Sequence, residues 1–341
     1  MAYTRETNIT KLEEFCSKAD FVFHLAGVNR PREEKEYMIG NRGFTAALLE
    51  TLKKQNNRCP VMFSSSIHAA GDHPYGQSKK AGEDLIFAYG KETGAKTFVY
   101  RFPNVFGKWC KPNYNSAVAT FCHNIARELP VQVNDPETLM KLVYIDDVVE
   151  ELIGAMEGQE NRKNPFCEVP TVHQVKLGEI VELLYSFKMT RQDKSIPNMT
   201  DPFIKQLYST YLSYVPEDNF SYDLPMNVDH RGSFTEIIRT SDRGQISVNV
   251  SRPGITKGNH WHHTKNEKFL VVSGKGVIRF RKIGENAVIE YPVSDEKMEV
   301  VDIPPGYTHN IENLGERDMV TLMWVNEPFD PDKPDTYYLE V

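Results

Sequence analysis

Apolar residues in the first 160 or so positions fall into short runs, each followed by a stretch with helical spacing. "ADFVFHLAG" (19–27), "PVMFSSS" (60–66) and "KTFVYRFPNVFG" (96–107) have the length and continuity of buried strands. "FTAALLETLKK" (44–54), "GQSKKAGEDLIFAYGKE" (76–92) and "SAVATFCHNIARE" (116–128) place apolar residues on one face of a helix. "KLVYIDDVVEELIGAME" (141–157) reads as a strand running into a helix. Strands alternating with helices predict a parallel, doubly wound α/β sheet. From about residue 226 the texture changes. "RGSFTEIIRT", "GQISVNVS", "KFLVVSG", "GVIRFRKI", "EVVDIPPG" and "MVTLMWVN" are short β-rich runs separated by Gly, Pro and Asn, which predicts an all-β sandwich or barrel. The partition expected is an α/β domain over 1–210, a connector at 211–225 and a β domain over 226–341. The stretch from roughly 190 to 225 is polar and broken by proline, with the tyrosine cluster "LYSTYLSYVPEDNF" inside it.

Composition narrows the function classes. A chain of 341 residues has room for two cores. Its net charge of −7 argues against nucleic acid as a partner. No apolar run approaches a membrane span, and the start lacks the order of a signal peptide. Five scattered cysteines read as reduced thiols, so a cytoplasmic location is expected.

The densest chemistry lies in "GITKGNHWHHTKNEKFLVVSG" (254–274). On a strand, His260 and His262 project to one face and His263 to the other. Glu267 has the wrong parity for that strand, so it opens the next one after the turn-like "HTKN". "PPGYTHNIEN" (304–313) brings His309. Three imidazoles and a carboxylate suit a borderline divalent metal such as zinc, with iron, manganese or nickel as alternatives. The spacing of both stretches resembles the two motifs of the cupin family, whose fold is a double-stranded β-helix or jelly roll. The glycine that usually leads the second motif is absent.

In the first half, "PYGQSKKAGE" carries Tyr75 and Lys79 in the order Y-x-x-x-K at a helix start. Four residues apart, the two share one helix face, and an ammonium near a phenol is expected to lower its pKa. Ser66, with Ser65 behind it, ends the preceding strand and can complete a proton-transfer site. "HLAGVNRP", Asn41, "FSSS", Tyr75, Lys79, "RFPNVFG" and "YIDDVV" follow one another as in the extended short-chain dehydrogenase/reductase family, which this half resembles. The resemblance implies a Rossmann-like fold and NADP(H), with Tyr75, Lys79 and Ser66 catalytic. Ala26, Gly27, Ser64, Tyr75, Lys79 and Asn104 would lie along the cofactor. Lys108 and Lys111 become candidates for the phosphates of a nucleoside diphosphate.

A reductase followed by a cupin resembles the bifunctional CapF/WbjC-type family of capsular polysaccharide and O-antigen synthesis. "FGKWCKPNYNS", "LYSTYLSY", "MNVDHRGSFTE" and the histidine-rich stretch carry the match. The resemblance implies a UDP-linked 4-keto deoxy amino sugar as substrate and a homodimer or higher homo-oligomer. It also implies C3 epimerisation in the cupin, with Tyr307 a candidate proton carrier, and NADPH-dependent C4 reduction in the first domain. Two other classes remain open. One is a UDP-sugar epimerase or dehydratase with tightly held NAD; the other is a reductase-dead metal- or sugar-binding protein.

One family feature has no counterpart in these residues. A G-x-x-G-x-x-G turn after a first strand would bind the cofactor pyrophosphate through backbone amides, so an N-terminally truncated Rossmann-like domain is expected. The expected consequence is weak NADPH binding by these 341 residues. Calorimetric titration checks it, and micromolar affinity would show that another segment performs the loop's task.

Overall fold

The computed structural model describes every residue except Arg5 and Ile9. Contacts separate the chain into two units, Met1–Leu184 with Pro202–Val215, and Tyr185–Asp201 with Pro216–Val341. The division is therefore not one contiguous step near residue 210.

The first unit carries β1 (Val22–His24), β2 (Val61–Ser66), β3 (Thr97–Phe102), β4 (Asn104–Phe106), β5 (Leu139–Tyr144), β6 (Arg162–Lys163), β7 (Phe166–Cys167) and β8 (His173–Lys176). Its main sheet has the order β1-β2-β3-β7-β6, with β1, β2, β3 and β7 parallel. The second has the order β4-β5-β8. Parallel strands are covered on both faces, which is why β2 is apolar without alternation over Val61, Met62 and Phe63, all buried. Val61 and Phe63 meet Leu48, Leu52, Ile86 and Tyr89 from the helices Phe44–Lys54 and Pro74–Thr93. Met62 looks the other way, into a cluster with Phe98, Tyr100, Val148 and Leu152. This is the Rossmann-like architecture expected from the alternating runs.

The helix Pro74–Thr93 is bounded as its sequence dictates. His73 caps the Tyr75 amide, Pro74 takes the first turn where no amide is needed, and Gly94 ends the helix at φ 75°. Midway along it, the fully buried Glu83 accepts two hydrogen bonds from Arg101, at 2.8 and 2.6 Å, and one from Ser65 at 2.6 Å. Arg101 also lies over the Phe166 ring, 4.0 Å from its centroid.

The stretch read as polar connector contains a helix, Pro202–Leu212, with Phe203, Leu207 and Tyr211 buried. Of the tyrosine cluster, Tyr211 lies on the buried face of this helix and Tyr208 is half-buried. Tyr214, just beyond, donates to the Cys110 carbonyl at 2.5 Å. Proline at its first turn starts this helix where the sequence reading had taken Pro as a break.

The second unit holds β9 (Asn227–Asp229), β10 (Gly232–Thr240), β11 (Gly244–Ser251), β12 (Thr256–Trp261), β13 (Glu267–Ser273), β14 (Lys275–Lys282), β15 (Val288–Ser294), β16 (Val300–Ile303), β17 (Tyr307–Asn313), β18 (Met319–Val325) and β19 (Tyr337–Tyr338). They form two antiparallel sheets, β16-β13-β18-β11-β10-β9 and β15-β14-β17-β12-β19, in the jelly-roll layout expected from residue 226. Phe269, Val271, Ile278, Phe280, Val301, Ile303 and Ile311 interdigitate between them as an apolar core. Lys194, from the segment 185–201, pairs with Glu236 of β10 at 3.1 Å.

Removing one partner of a buried ion pair strands the other. Arg101→Met is therefore expected to destabilise the first unit by about 3 kcal/mol in urea unfolding. Lys53→Met, which loses only the exposed partner of Glu92, should change stability by less than about 0.5 kcal/mol.

Candidate active sites

The end of β2 and the start of the helix Pro74–Thr93 build the first site. Strand alternation sends Ser64 and Ser66 to one face of β2 and Ser65 to the other, where Glu83 holds it. Ser65 is thus a packing residue, and Ser66 is the hydroxyl beside Tyr75. The Lys79 ammonium is buried and donates to the Ser64 carbonyl at 2.8 Å. Gly27 comes close behind it: a Cβ there would sit 2.9 Å from Lys79 Nζ and 3.0 Å from Asn41 Oδ1. Any side chain at 27 would fill the space beside the ammonium. Ala26 and Gly27 lie on the exposed loop after β1.

Two details differ from the sequence reading. Tyr75 has its pKa raised, not lowered: burial raises it, the Ser66 hydrogen bond works against that, and Tyr37 adds to the rise. Burial in turn pushes Lys79 down to about 8, with the Glu83 charge opposing. At neutral pH the phenol is protonated and the amine is mostly an ammonium. Asn104, on β4, spends its amide on the Lys141 carbonyl at 3.3 Å, and no hydrogen bond joins it to Tyr75. Lys108 is held by Asp146 at 2.5 and 2.7 Å, while Lys111 lies over the Tyr114 ring.

Asn41 is the residue whose task sequence reasoning missed. Buried in the turn Met38–Gly43, it accepts from the Val28 amide at 2.7 Å and donates to the Val28 carbonyl and to Ser78 Oγ. It thereby ties the loop after β1 to the helix that carries Tyr75 and Lys79. Its place in the family order was the available signal.

The second site lies between the two sheets of the second unit. One donor atom from each of His260, His262, Glu267 and His309 falls within 4.8 Å of the others. His260 pairs directly with His309 across β12 and β17, and a bulge between Gly258 and His260 aims the imidazole inward. Glu267 opens β13, as its parity required. Its Oε2 lies 3.1 Å from His309 Nε2 and 3.6 Å from His262 Nε2. Yet His262 Nε2, Glu267 Oε2 and both ring nitrogens of His309 are buried without a hydrogen-bond partner. Orphaned atoms on two imidazoles and a carboxylate, with a third imidazole, that of His260, within reach, make a donor set that fits a divalent metal. Burial, then the neighbouring His309, pushes His260 down to about 4, which keeps its imidazole neutral. His263 points outward, against Trp261 and Tyr337.

A cavity of about 800 Å³ opens over the four donors, lined also by Lys257, Lys265, Glu236, Asn249 and Phe329. Tyr307 is not on its wall; the ring packs against the apolar core instead. Lys257 is, and its ammonium is anchored by Asn249 Oδ1 and the Val250 carbonyl, both at 2.8 Å.

Two family models match the chain. Residues 3–166 match the NAD dependent epimerase/dehydratase family and residues 227–337 the polysaccharide biosynthesis C-terminal domain. The UDP-2-acetamido-2,6-beta-L-arabino-hexul-4-ose reductase of Pseudomonas aeruginosa is 45% identical over 99% of this chain and 91% of its own. The crystal structure of the capsular polysaccharide assembling protein CapF from Staphylococcus aureus is 58% identical, with a TM-score of 0.94 over 99% of this chain and 91% of that one. The chain belongs to the CapF family. A further CapF structure, with the inhibitor 3-isopropenyl-tropolone, is 53% identical with a TM-score of 0.90 over 100% of this chain and 92% of that one. In this CapF-family chain no helix among the described residues is long and apolar enough to cross a membrane.

Lys79 gives the first unit a pH signature. Its folded pKa of about 8 lies below the ordinary lysine value of 10.5, so between those values the unfolded chain binds more protons than the folded one. The Lys79 contribution to stability is therefore expected to rise with pH through that window, on the order of 2 kcal/mol, while the buried thiols of Cys16 and Cys59, pushed up by burial, work the opposite way. Lys79→Met should remove the Lys79 contribution, read as the difference from wild type in denaturant titrations at pH 8, 9 and 10.

Proposed function

We propose that this chain carries out two reactions on a UDP-2-acetamido-2,6-dideoxy-hexos-4-ulose in capsular polysaccharide or O-antigen precursor synthesis. The jelly-roll unit, a cupin in this reading, epimerises C3, and the Rossmann-like unit reduces C4 with NADPH. The product is UDP-2-acetamido-2,6-dideoxy-L-talose, on the route to UDP-N-acetyl-L-fucosamine. The observation that carries the reading is the coexistence of two unlike donor sets in one chain. A neutral phenol, a hydroxyl and an ammonium meet in one unit, and a buried three-imidazole, one-carboxylate cage lies in the other. The family membership and the reductase name of the Pseudomonas relative support it.

In the reductase site, bound NADPH supplies a hydride to the C4 carbonyl. Tyr75, kept protonated by burial, gives its proton to the oxygen as negative charge develops there. Ser66 holds the phenol and the carbonyl oxygen in line. Lys79, fixed on the Ser64 carbonyl, places positive charge behind the phenol and favours the phenolate once the proton has left. Ala26, Gly27, Ser64 and Asn104 line the cofactor's path, with Asn41 bracing the loop.

In the second site, His260, His262, Glu267 and His309 hold a divalent cation, zinc or another of its class. The 4-ketone acidifies the C3 hydrogen, and a bound cation supplies positive charge against which the developing negative charge is stabilised. The vicinal oxygens of the tropolone that inhibits a relative form a chelating pair, which agrees with a metal in this family.

At NADPH concentrations high enough to offset the weak binding expected above, Tyr75→Phe is expected to lower NADPH oxidation at least about 100-fold while deuterium from solvent still enters C3, read by mass spectrometry. His260→Ala with His262→Ala should do the reverse and lose most of the bound metal in elemental analysis. If a well-folded Tyr75→Phe chain loses both activities, the two sites are not separable and the proposal falls.

A further inference from the structure

The His262 ring is held by a residue far along the chain. Its Nδ1 lies 2.6 Å from the main-chain carbonyl of Asp335, 73 positions away. A carbonyl only accepts, so Nδ1 carries the hydrogen and, in the neutral ring, the lone pair is on Nε2. That is the atom left without a partner, facing Glu267. The Asp335 carboxylate then gathers the turn between the two donors. Its Oδ1 accepts from the His263 amide at 3.0 Å. Its Oδ2 accepts from the amides of Thr264 and Lys265 and from Thr264 Oγ1, at 2.9 to 3.0 Å. Lys265 Nζ donates to the Pro334 carbonyl at 2.6 Å. The tail continues as β19, which pairs with β12 at His260 and Trp261, and Leu339 donates to the Asn259 carbonyl at 3.0 Å.

These contacts converge on the spacing between His262 and Glu267. A turn joining two cage residues is free to change that spacing unless something pins it. Here three successive amides of the turn are pinned by one carboxylate. Asp335 itself stands at φ 42°, a left-handed conformation that Asp tolerates better than most residues and that lets carbonyl and carboxylate reach the same turn. Imidazoles that bind metal keep their orientation through a partner on the second nitrogen, and loss of that partner weakens the metal by 10–100-fold.

We propose that the C-terminal segment 334–339 is part of the metal centre, with Asp335 as its positioning residue. The carbonyl sets the tautomer and plane of His262, and the carboxylate sets the distance from His262 to Glu267. This rests on the reading of the four residues as a divalent-cation cage.

Cobalt(II) titration of the full chain, with nitrogen-15 NMR of the histidine rings, tests it. Asp335→Ala, which keeps the carbonyl and removes the carboxylate from the turn, is expected to weaken cobalt binding by about 10-fold, the low end for an outer partner, and to shift the visible ligand-field bands, with the circular dichroism of the metal-free chain unchanged. Asp335→Asn, which keeps an acceptor oxygen, should recover part of the affinity. In the metal-free wild type, His262 should appear as the Nδ1–H tautomer. Wild-type cobalt affinity and bands in Asp335→Ala overturn the proposal, as does an Nε2–H tautomer at His262. The tautomer needs no variant, so it decides the matter even where Asp335→Ala does not fold. Absence of cobalt binding by the wild type would instead overturn the cation cage, and the metal centre with it.

Discussion

A charged group taken out of water must be met by a partner, and both candidate sites are organised by that requirement. Glu83 and Glu267 make the contrast clear. Glu83 is fully buried, and the guanidinium of Arg101 and the hydroxyl of Ser65 satisfy it within the chain. Glu267 faces imidazoles whose lone pairs point at the same small volume, and its Oε2 makes no hydrogen bond. The first arrangement is closed and holds a sheet to a helix. The second gathers three imidazoles and a carboxylate whose donor atoms lie within 4.8 Å of one another, and that is what marks it as a candidate site.

The same requirement explains how the first unit separates structure from chemistry. Ser64, Ser65 and Ser66 are identical in composition, and the period of the strand divides their tasks. Ser65 turns to Glu83. Ser66 turns to Tyr75, and the Ser64 carbonyl receives Lys79. The residues gather beyond the carboxyl ends of β1 and β2, where open parallel sheets bind their ligands because the loops there are free to close around them. Tyr75 and Lys79 are presented by one helix, so their separation is set by its rise. Asn41 sets the distance from that helix to the loop holding Gly27.

In the second unit the cage is built from strands that are neighbours in space and distant in sequence. β12 and β17 deliver His260 and His309 to facing positions, β13 delivers Glu267, and the tail beyond β18 holds His262 from behind. The cavity above is correspondingly mixed, with Lys257 and Lys265 anchored on main-chain carbonyls at its wall. Those cations are fixed in place by the fold, so they offer positive charge to an anionic ligand without rearrangement.

What the sequence determined by itself was local and periodic. Continuous apolar runs alternating with helical ones specified the parallel sheet, and short β-rich runs specified a sandwich or barrel, which the resemblance to cupins narrowed to a jelly roll. The parity of His260, His262 and Glu267 divided them between two strands. The spacing of Tyr75 and Lys79 put both on one helix face. Each of these follows from backbone geometry, which acts over a few residues and leaves its period in the chain. Tertiary structure decided the rest. The helix Pro202–Leu212 was hidden because its tyrosines read as polar until their buried face was seen. The direction of the Tyr75 shift depended on how deeply the ring is buried, and the absence of Tyr307 from the cavity wall on its packing against the apolar core. Asp335 lies in "FDPDKPDTYY", which carries no periodic signal at all. Its role exists only because folding brings it to a turn 71 positions away, and no spacing rule reaches that far.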